Sequence, residues 1–131
     1  KAATGNADGS LPEYSFHWNG TSNRVFLFEA PIDMLSYITM NPNGWQQNTY
    51  AASCSVADRV LFQCLKDNPN LTDVYLCFDS DTAGQSAAKR ISDKLFAQGY
   101  KSEILVPAKK DWNEYLVMQK EGEQAWTEQS Y

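Results

Sequence analysis

VYLCFDSDTAG, residues 74–84, runs five consecutive apolar side chains into two aspartates one residue apart, with a glycine three further on. A segment apolar on every residue reads as a strand covered on both faces, because a strand with one wet face alternates. Helical spacing follows over residues 82–98. Ala83, Ala87, Ile91 and Leu95 fall on one side, and Gly99 stands where a helix stops. A buried strand passing into a helix is the unit of a parallel sheet with right-handed crossovers. Asp79 and Asp81 then lie at the strand's carboxyl end, the edge where open α/β sheets bind ligands.

The same unit recurs on both sides. In VFLFEAPIDMLS (25–36) a strand over 24–28 leads to Pro31 at a first helical position. Ile32, Leu35 and Ile38, with Met34, make a stripe through Met40 that NPNG (41–44) ends. A short second strand is expected over 49–52. Ser55 is then placed to cap a helix carrying Val56, Val60, Leu61, Cys64 and Leu65, ended by Asn68-Pro69-Asn70. In ILVPAKKDWNEYL (104–116) a strand over 103–106 precedes a helix over 112–119. YSFHW (14–18) alternates weakly and reads as an extra edge strand, with NGTSN as the turn after it. The expected fold is α/β: a three-layer α/β/α arrangement with a central four-stranded, mainly parallel sheet and that N-terminal edge strand. Residues 1–13, rich in Gly, Ala, Asn and Asp, read as a flexible tether, 14–120 as the domain, and 121–131 as a polar tail anchored by Trp126.

The 131 residues suffice for one domain with a real core. No apolar run approaches the roughly 20 residues of a membrane span, and the first residues do not have the basic, apolar, small-residue pattern of a signal peptide. The first residue is Lys1, so a processed chain or, more in keeping, a piece of a longer polypeptide is expected. Cys54, Cys64 and Cys77 match no zinc spacing and there is one histidine, His17, so reduced thiols and a cytoplasmic location are expected. Cys54, in a polar segment, is the one candidate for a reactive thiol. A net charge of −5 argues against a domain that grips nucleic acid unaided. The bases are clustered, however: Lys89, Arg90 and Lys94 on one helix, and Lys109 and Lys110 just before Asp111. A solvated face and phosphate contact both fit them.

Each acidic cluster has a structural reading. Glu29 is a surface residue at a strand end. Asp33 is a first-turn charge favoured by the helix dipole. Ser80 or Asp81 is a helix cap, and Asp111 with Glu114 has the form of a capping box. The functional reading takes them together. Five carboxylates at one sheet edge repel unless a cation neutralises them. Alternate residues of an extended segment point the same way, so Asp79 with Asp81, and Asp111 with Asn113, offer paired oxygens of the kind Mg²⁺ takes.

The order strand–E-x-x-x-D–helix, strand–D-x-D-x-x-G–helix, strand–K-D-x-N–helix resembles the TOPRIM domain of bacterial primases, topoisomerases and some nucleases. The resemblance runs from Arg24 to Leu116, and its wording is similar to the TOPRIM-like proteins of bacterial conjugative and other mobile elements. It implies a Rossmann-like fold and Mg²⁺- or Mn²⁺-dependent phosphodiester chemistry on DNA or RNA, as part of a primase-like replication or mobilisation protein. A nuclease, or a non-catalytic metal and nucleic-acid binding module, is the alternative. It further implies Glu29 as general acid or base and Asp79 and Asp81 as principal metal ligands. Asp33, Asp111 and Asn113 would be supporting ligands, Gly84 structural at the site, and Lys109, Lys110 and Lys89 contacts to phosphate. Ala30 and Asn113 depart from the family's usual Gly and Asp. Other domains of the same polypeptide would be partners, with weak nucleic-acid binding by this domain alone and no membrane.

Overall fold

The computed structural model describes residues 16–53 and 57–129. Its elements are β1 (His17–Trp18), β2 (Arg24–Phe28), α1 (Pro31–Met40), a 3-10 turn (Trp45–Gln47), β3 (Thr49–Ala52), α2 (Ala57–Asp67), β4 (Asp73–Cys77), α3 (Thr82–Ala97), β5 (Lys101–Ile104) and α4 (Trp112–Gln129). The sheet order is β1-β3-β2-β4-β5. β2, β3, β4 and β5 are parallel, and β1 pairs antiparallel with β3 as an edge strand.

Period-two alternation divides the core into two layers. Val25, Leu27, Val74 and Leu76 point to one face, where Val60, Leu61 and Leu65 of α2 and Ala88, Ile91 and Leu95 of α3 cover them. Phe26, Phe28 and Cys77 point to the other, against Met34 of α1 and Trp112 of α4. That second layer is strongly aromatic: Phe26 stacks on Tyr75 at 4.6 Å between ring centroids and on Tyr50 at 5.3 Å. Helices on both faces explain why β2 and β4 are apolar at every position after their first residues, Arg24 and Asp73. No described helix is long and apolar enough to cross a membrane.

Two elements differ most in extent from the sequence reading. β5 runs Lys101–Ile104 instead of 103–106, because Gly99, at φ 89°, turns the chain directly into pairing of Lys101 with Asp73. As the outer strand it needs no continuous apolar run, and its residues alternate between exposed and half-buried. α4 continues past Gln119 to Gln129. The apolar stripe ends earlier, but Lys, Glu, Gln and Ala are good helix formers and need no core contact to extend a helix already begun. The tether, Tyr14 and Ser15 of the edge strand, Cys54, the Ser55 cap, Val56 and the side chain of Trp126 lie outside the described residues.

Candidate metal centre

β2, β4 and β5 are neighbours, and their carboxyl ends deliver three loops to one edge. After β2, Ala30 is the N-cap of α1 in extended conformation, φ −138° and ψ 150°, which any L residue adopts, so alanine serves there without strain. One turn on, Asp33 is only 5% exposed, and its Oδ1 accepts the N–H of Asn113 at 3.1 Å. That bond ties the start of α1 to the start of α4.

After β4, the backbone of Asp79 is held on both sides. Its N–H donates to Glu29 Oε2 at 2.8 Å, and its carbonyl accepts from Gln85 Nε2 at 2.8 Å. A Cβ on Gly84 would lie 2.3 Å from the same carbonyl oxygen, so only glycine lets α3 begin this close to Asp79. After β5, Asp111 caps α4, its Oδ1 accepting the Glu114 N–H at 2.8 Å. Ser80 clips the second and third loops together: its N–H donates to Lys110 O at 2.7 Å and its Oγ to Lys109 O at 2.9 Å.

Carboxylate oxygens of Asp33, Asp79 and Asp111 consequently lie within 4.8 Å of one another. Burial, reinforced by Glu29, Asp33, Asp111 and Asp81, pushes the Asp79 carboxyl up to about 6. Asp33 is also raised, by burial and by Asp111 and Glu29, against the lowering effect of the Asn113 N–H. The donor set fits a hard divalent cation. All three donors are carboxylate oxygens, the ligand type Mg²⁺ prefers, and oxygens within 4.8 Å of one another lie close enough to be drawn onto one ion. A cation would also relieve the repulsion that raises Asp79.

The residues singled out in the sequence are placed as follows. Asp33, Asp79 and Asp111 converge, with Glu29 bonded to the Asp79 backbone. Asp81 is the N-cap of α3, its Oδ1 accepting the Gly84 N–H at 2.8 Å. Asn113 Oδ1 accepts from Ser36 Oγ at 3.3 Å, so its amide oxygen faces α1. The side chains of Lys109 and Lys110 are exposed beside the site, and Lys89 pairs with Asp93 on α3 at 3.0 Å. Sequence reasoning missed Gln85 and Ser36, and named Ser80 only as a helix cap, a place that Asp81 takes. Gln85 directly follows the motif glycine and Ser36 stands three residues after Asp33, so position alone could have flagged both as supports of the acids.

Comparison with known proteins agrees with this fold. The profile of a family described as Toprim-like matches residues 26–116. An uncharacterised protein of Mycoplasma genitalium is 26% identical over 98 residues, 73% of this chain and 43% of its own length. The primase fragment of the bacteriophage T7 primase-helicase superposes with a TM-score of 0.59 at 23% identity, covering 87% of this chain and 45% of that one. A chain from the complex of the T7 lagging-strand DNA polymerase with the primase domains of two gp4 subunits, an RNA/DNA hybrid and dTTP gives 0.58 at 24%, covering 83% and 56%. At such identities the likeness establishes the fold. The chain spans less than half the length of the curated relative and about half that of the matched structures.

Proposed function

The chain belongs to the Toprim-like family, and on that premise we propose that it is the metal-dependent phosphodiester-processing domain of a primase-like replication or mobilisation protein. The observation that carries the reading is the convergence of Asp33, Asp79 and Asp111 from three separate loops. Asp79 and Asp111, half-buried at the open edge, would hold Mg²⁺ or Mn²⁺ with Asp33 behind them. Asp81 would reach the ion through the oxygen its cap leaves over, and Asn113 through the amide it now turns to Ser36. A bound cation offsets charge on phosphoryl oxygens and orients the attacking group. Glu29, beside Asp79, is the group placed to hold or accept a proton. Lys109 and Lys110, and more remotely Lys89, are the cations available to phosphates of DNA or RNA. Other domains of a longer polypeptide would strengthen the grip on nucleic acid, which a chain of net charge −5 provides only weakly.

One observation favours a second reading. Glu29 Oε2 is engaged on the Asp79 N–H, so the glutamate serves as a brace for the ligand loop. A non-catalytic module that binds metal and nucleic acid would need no more than that.

Two measurements decide. The melting temperature of the wild type is expected to rise with millimolar Mg²⁺ or Mn²⁺ by mass action, and that of an Asp79→Asn, Asp111→Asn double variant to stay flat. A flat wild-type response removes the metal site. The second compares wild type with Glu29→Gln in the full polypeptide, on single-stranded and nicked DNA with Mn²⁺. Loss of bond making or of bond cutting in the variant assigns catalysis and tells primase from nuclease. Equal activity assigns the brace alone.

A further inference from the structure

The outer side of α3 borders an open groove of about 910 Å³. It starts at the metal-bearing loop, with Ser80 and Asp81, passes Gln85, and ends among Lys89, Arg90 and Lys94. From Thr82 to Lys94 the helix rises about 18 Å, enough for several consecutive phosphates. None of the three cations hangs loose. Arg90 Nη1 holds both oxygens of Asp58 on α2, at 3.0 and 2.7 Å, and Lys94 Nζ holds Asp58 Oδ2 at 2.6 Å. Lys89 Nζ holds both oxygens of Asp93, at 3.0 and 3.1 Å.

A carboxylate gripped jointly by a guanidinium and an ammonium occupies the position a phosphate group would take. Burial raises the Asp58 carboxyl, but the bonds from Lys94 and Arg90 outweigh it and hold the group below its ordinary range. The acid is therefore ionised, and the clasp closed, at neutral pH. Ion pairs this exposed are weak, so little opposes their exchange for a phosphate.

We propose that this groove guides the sugar–phosphate backbone of a single nucleic-acid strand to the carboxylate triad, with Asp58 holding Arg90 and Lys94 in place until phosphates take them. The proposal rests on the reading of the triad as a metal site for phosphodiester chemistry, and it supplies the path to that site. A single strand fits better than a duplex. Each cation is already offset by a carboxylate, and a duplex brings twice the phosphate density against a protein of net charge −5.

The test measures fluorescence anisotropy of labelled oligo-dT and oligo-U with the full chain in saturating Mg²⁺, between 50 and 200 mM salt. Arg90→Gln with Lys94→Gln should weaken binding at least tenfold and flatten the salt dependence by about 0.7 per lost phosphate contact. Asp58→Asn, which frees both cations, should tighten binding several-fold. Either probe binding alone identifies which strand the groove takes. Unchanged affinity and slope in the double variant, no tightening in Asp58→Asn, or no binding of either probe to the wild type overturns the proposal. The Mg²⁺-induced rise in melting temperature is read on the same variants. If it persists while the groove variants bind like wild type, the groove fails and the metal site stands. If it is absent from the wild type, the metal site fails, whatever the groove does.

Discussion

Two glycines in helices respond oppositely to the same added methyl. Replacing glycine by alanine inside a helix ordinarily gains about 1 kcal/mol. At Gly122 a Cβ meets nothing within 4 Å, so Gly122→Ala should be stabilising by up to about that amount. At Gly84 the Cβ would sit 2.3 Å from the Asp79 carbonyl oxygen, a backbone atom that cannot turn aside. Overpacking of that kind costs about 1–3 kcal/mol and cancels the helix gain. Gly84→Ala should thus be net destabilising, and because the displaced atom belongs to Asp79 it should also blunt the melting response to Mg²⁺. Urea unfolding of both variants, with and without metal, checks the pair. Gly84 was legible from the D-x-D-x-x-G spacing, whereas its reason was not: the carbonyl it accommodates exists only once β4 and α3 are joined. Asp81 shows the converse. Period-two reasoning pairs it with Asp79, but β4 ends at Cys77, and by Asp81 the chain has turned to cap α3.

Asp79 also carries a pH signature. Its carboxyl is raised in the folded chain from an ordinary 3.8 to about 6, so the metal-free fold favours the protonated form. The stability this contributes is complete below about pH 4 and is lost as pH rises through about 6. Asp33 is raised as well and works in the same sense. Asp58 is lowered and acts the opposite way, its contribution disappearing only in stronger acid. Metal-free wild type should therefore lose stability between pH 4 and pH 6. Asp79→Asn should flatten that decline and be the more stable protein at pH 7. Saturating Mg²⁺ should reverse the slope, since the cation binds the ionised form. Denaturant titrations across this range, in chelator and in metal, measure all three.

At the scale of elements, α4 decides where the third acid stands. Trp112, at its first turn, is 6% exposed, donates Nε1–H to Cys77 O at 3.1 Å and packs edge-on to Tyr37 of α1 at 5.1 Å. It lies between Asp111 and Asn113, so its seat fixes both. Trp112→Ala should destabilise the fold by about 3–5 kcal/mol, and Trp112→Phe, which keeps a ring but loses the bond, by less. Both should lose metal response in step with stability, read by denaturant titration beside the Mg²⁺ melting shift. The stripe read for α1 has the wrong side: Ile32 and Leu35 are 54% and 48% exposed, while Asp33, Met34 and Ser36 are buried where α1 packs against α4. The sequence made α3, β2 and β4 legible because each carries one clear apolar pattern. It left β5 and the end of α4 misjudged because an edge strand and an exposed helix end are set by hydrogen bonding and propensity, not by an apolar pattern. Asp33 was expected in the cluster, but the packing that brings it there was not legible. In sequence it is an ordinary first-turn acid, and only the packing of α1 against α4 brings it within reach of Asp79 and Asp111.

For the whole molecule, the question is whether a cation acts on this protein by general screening or at one place. A chain of net charge −5 repels itself, and any salt reduces that. Screening acts over roughly 8–10 Å at ordinary ionic strength. Within the triad the oxygens are 4.8 Å apart or closer, and Asp33 is nearly out of water. Monovalent salt should therefore relieve the diffuse repulsion and leave the local one largely intact. Raising NaCl should give a modest, gradual increase in melting temperature that is similar in wild type and in Asp79→Asn, Asp111→Asn. Mg²⁺ at matched ionic strength should add a saturable increase in wild type alone. The double variant, relieved of two charges, should start from a higher metal-free melting temperature. Equal responses to Mg²⁺ and to NaCl at matched ionic strength would mean that the acidic edge is only a charged surface. A saturable excess that vanishes with the two aspartates would mean that the fold gathers them to hold an ion.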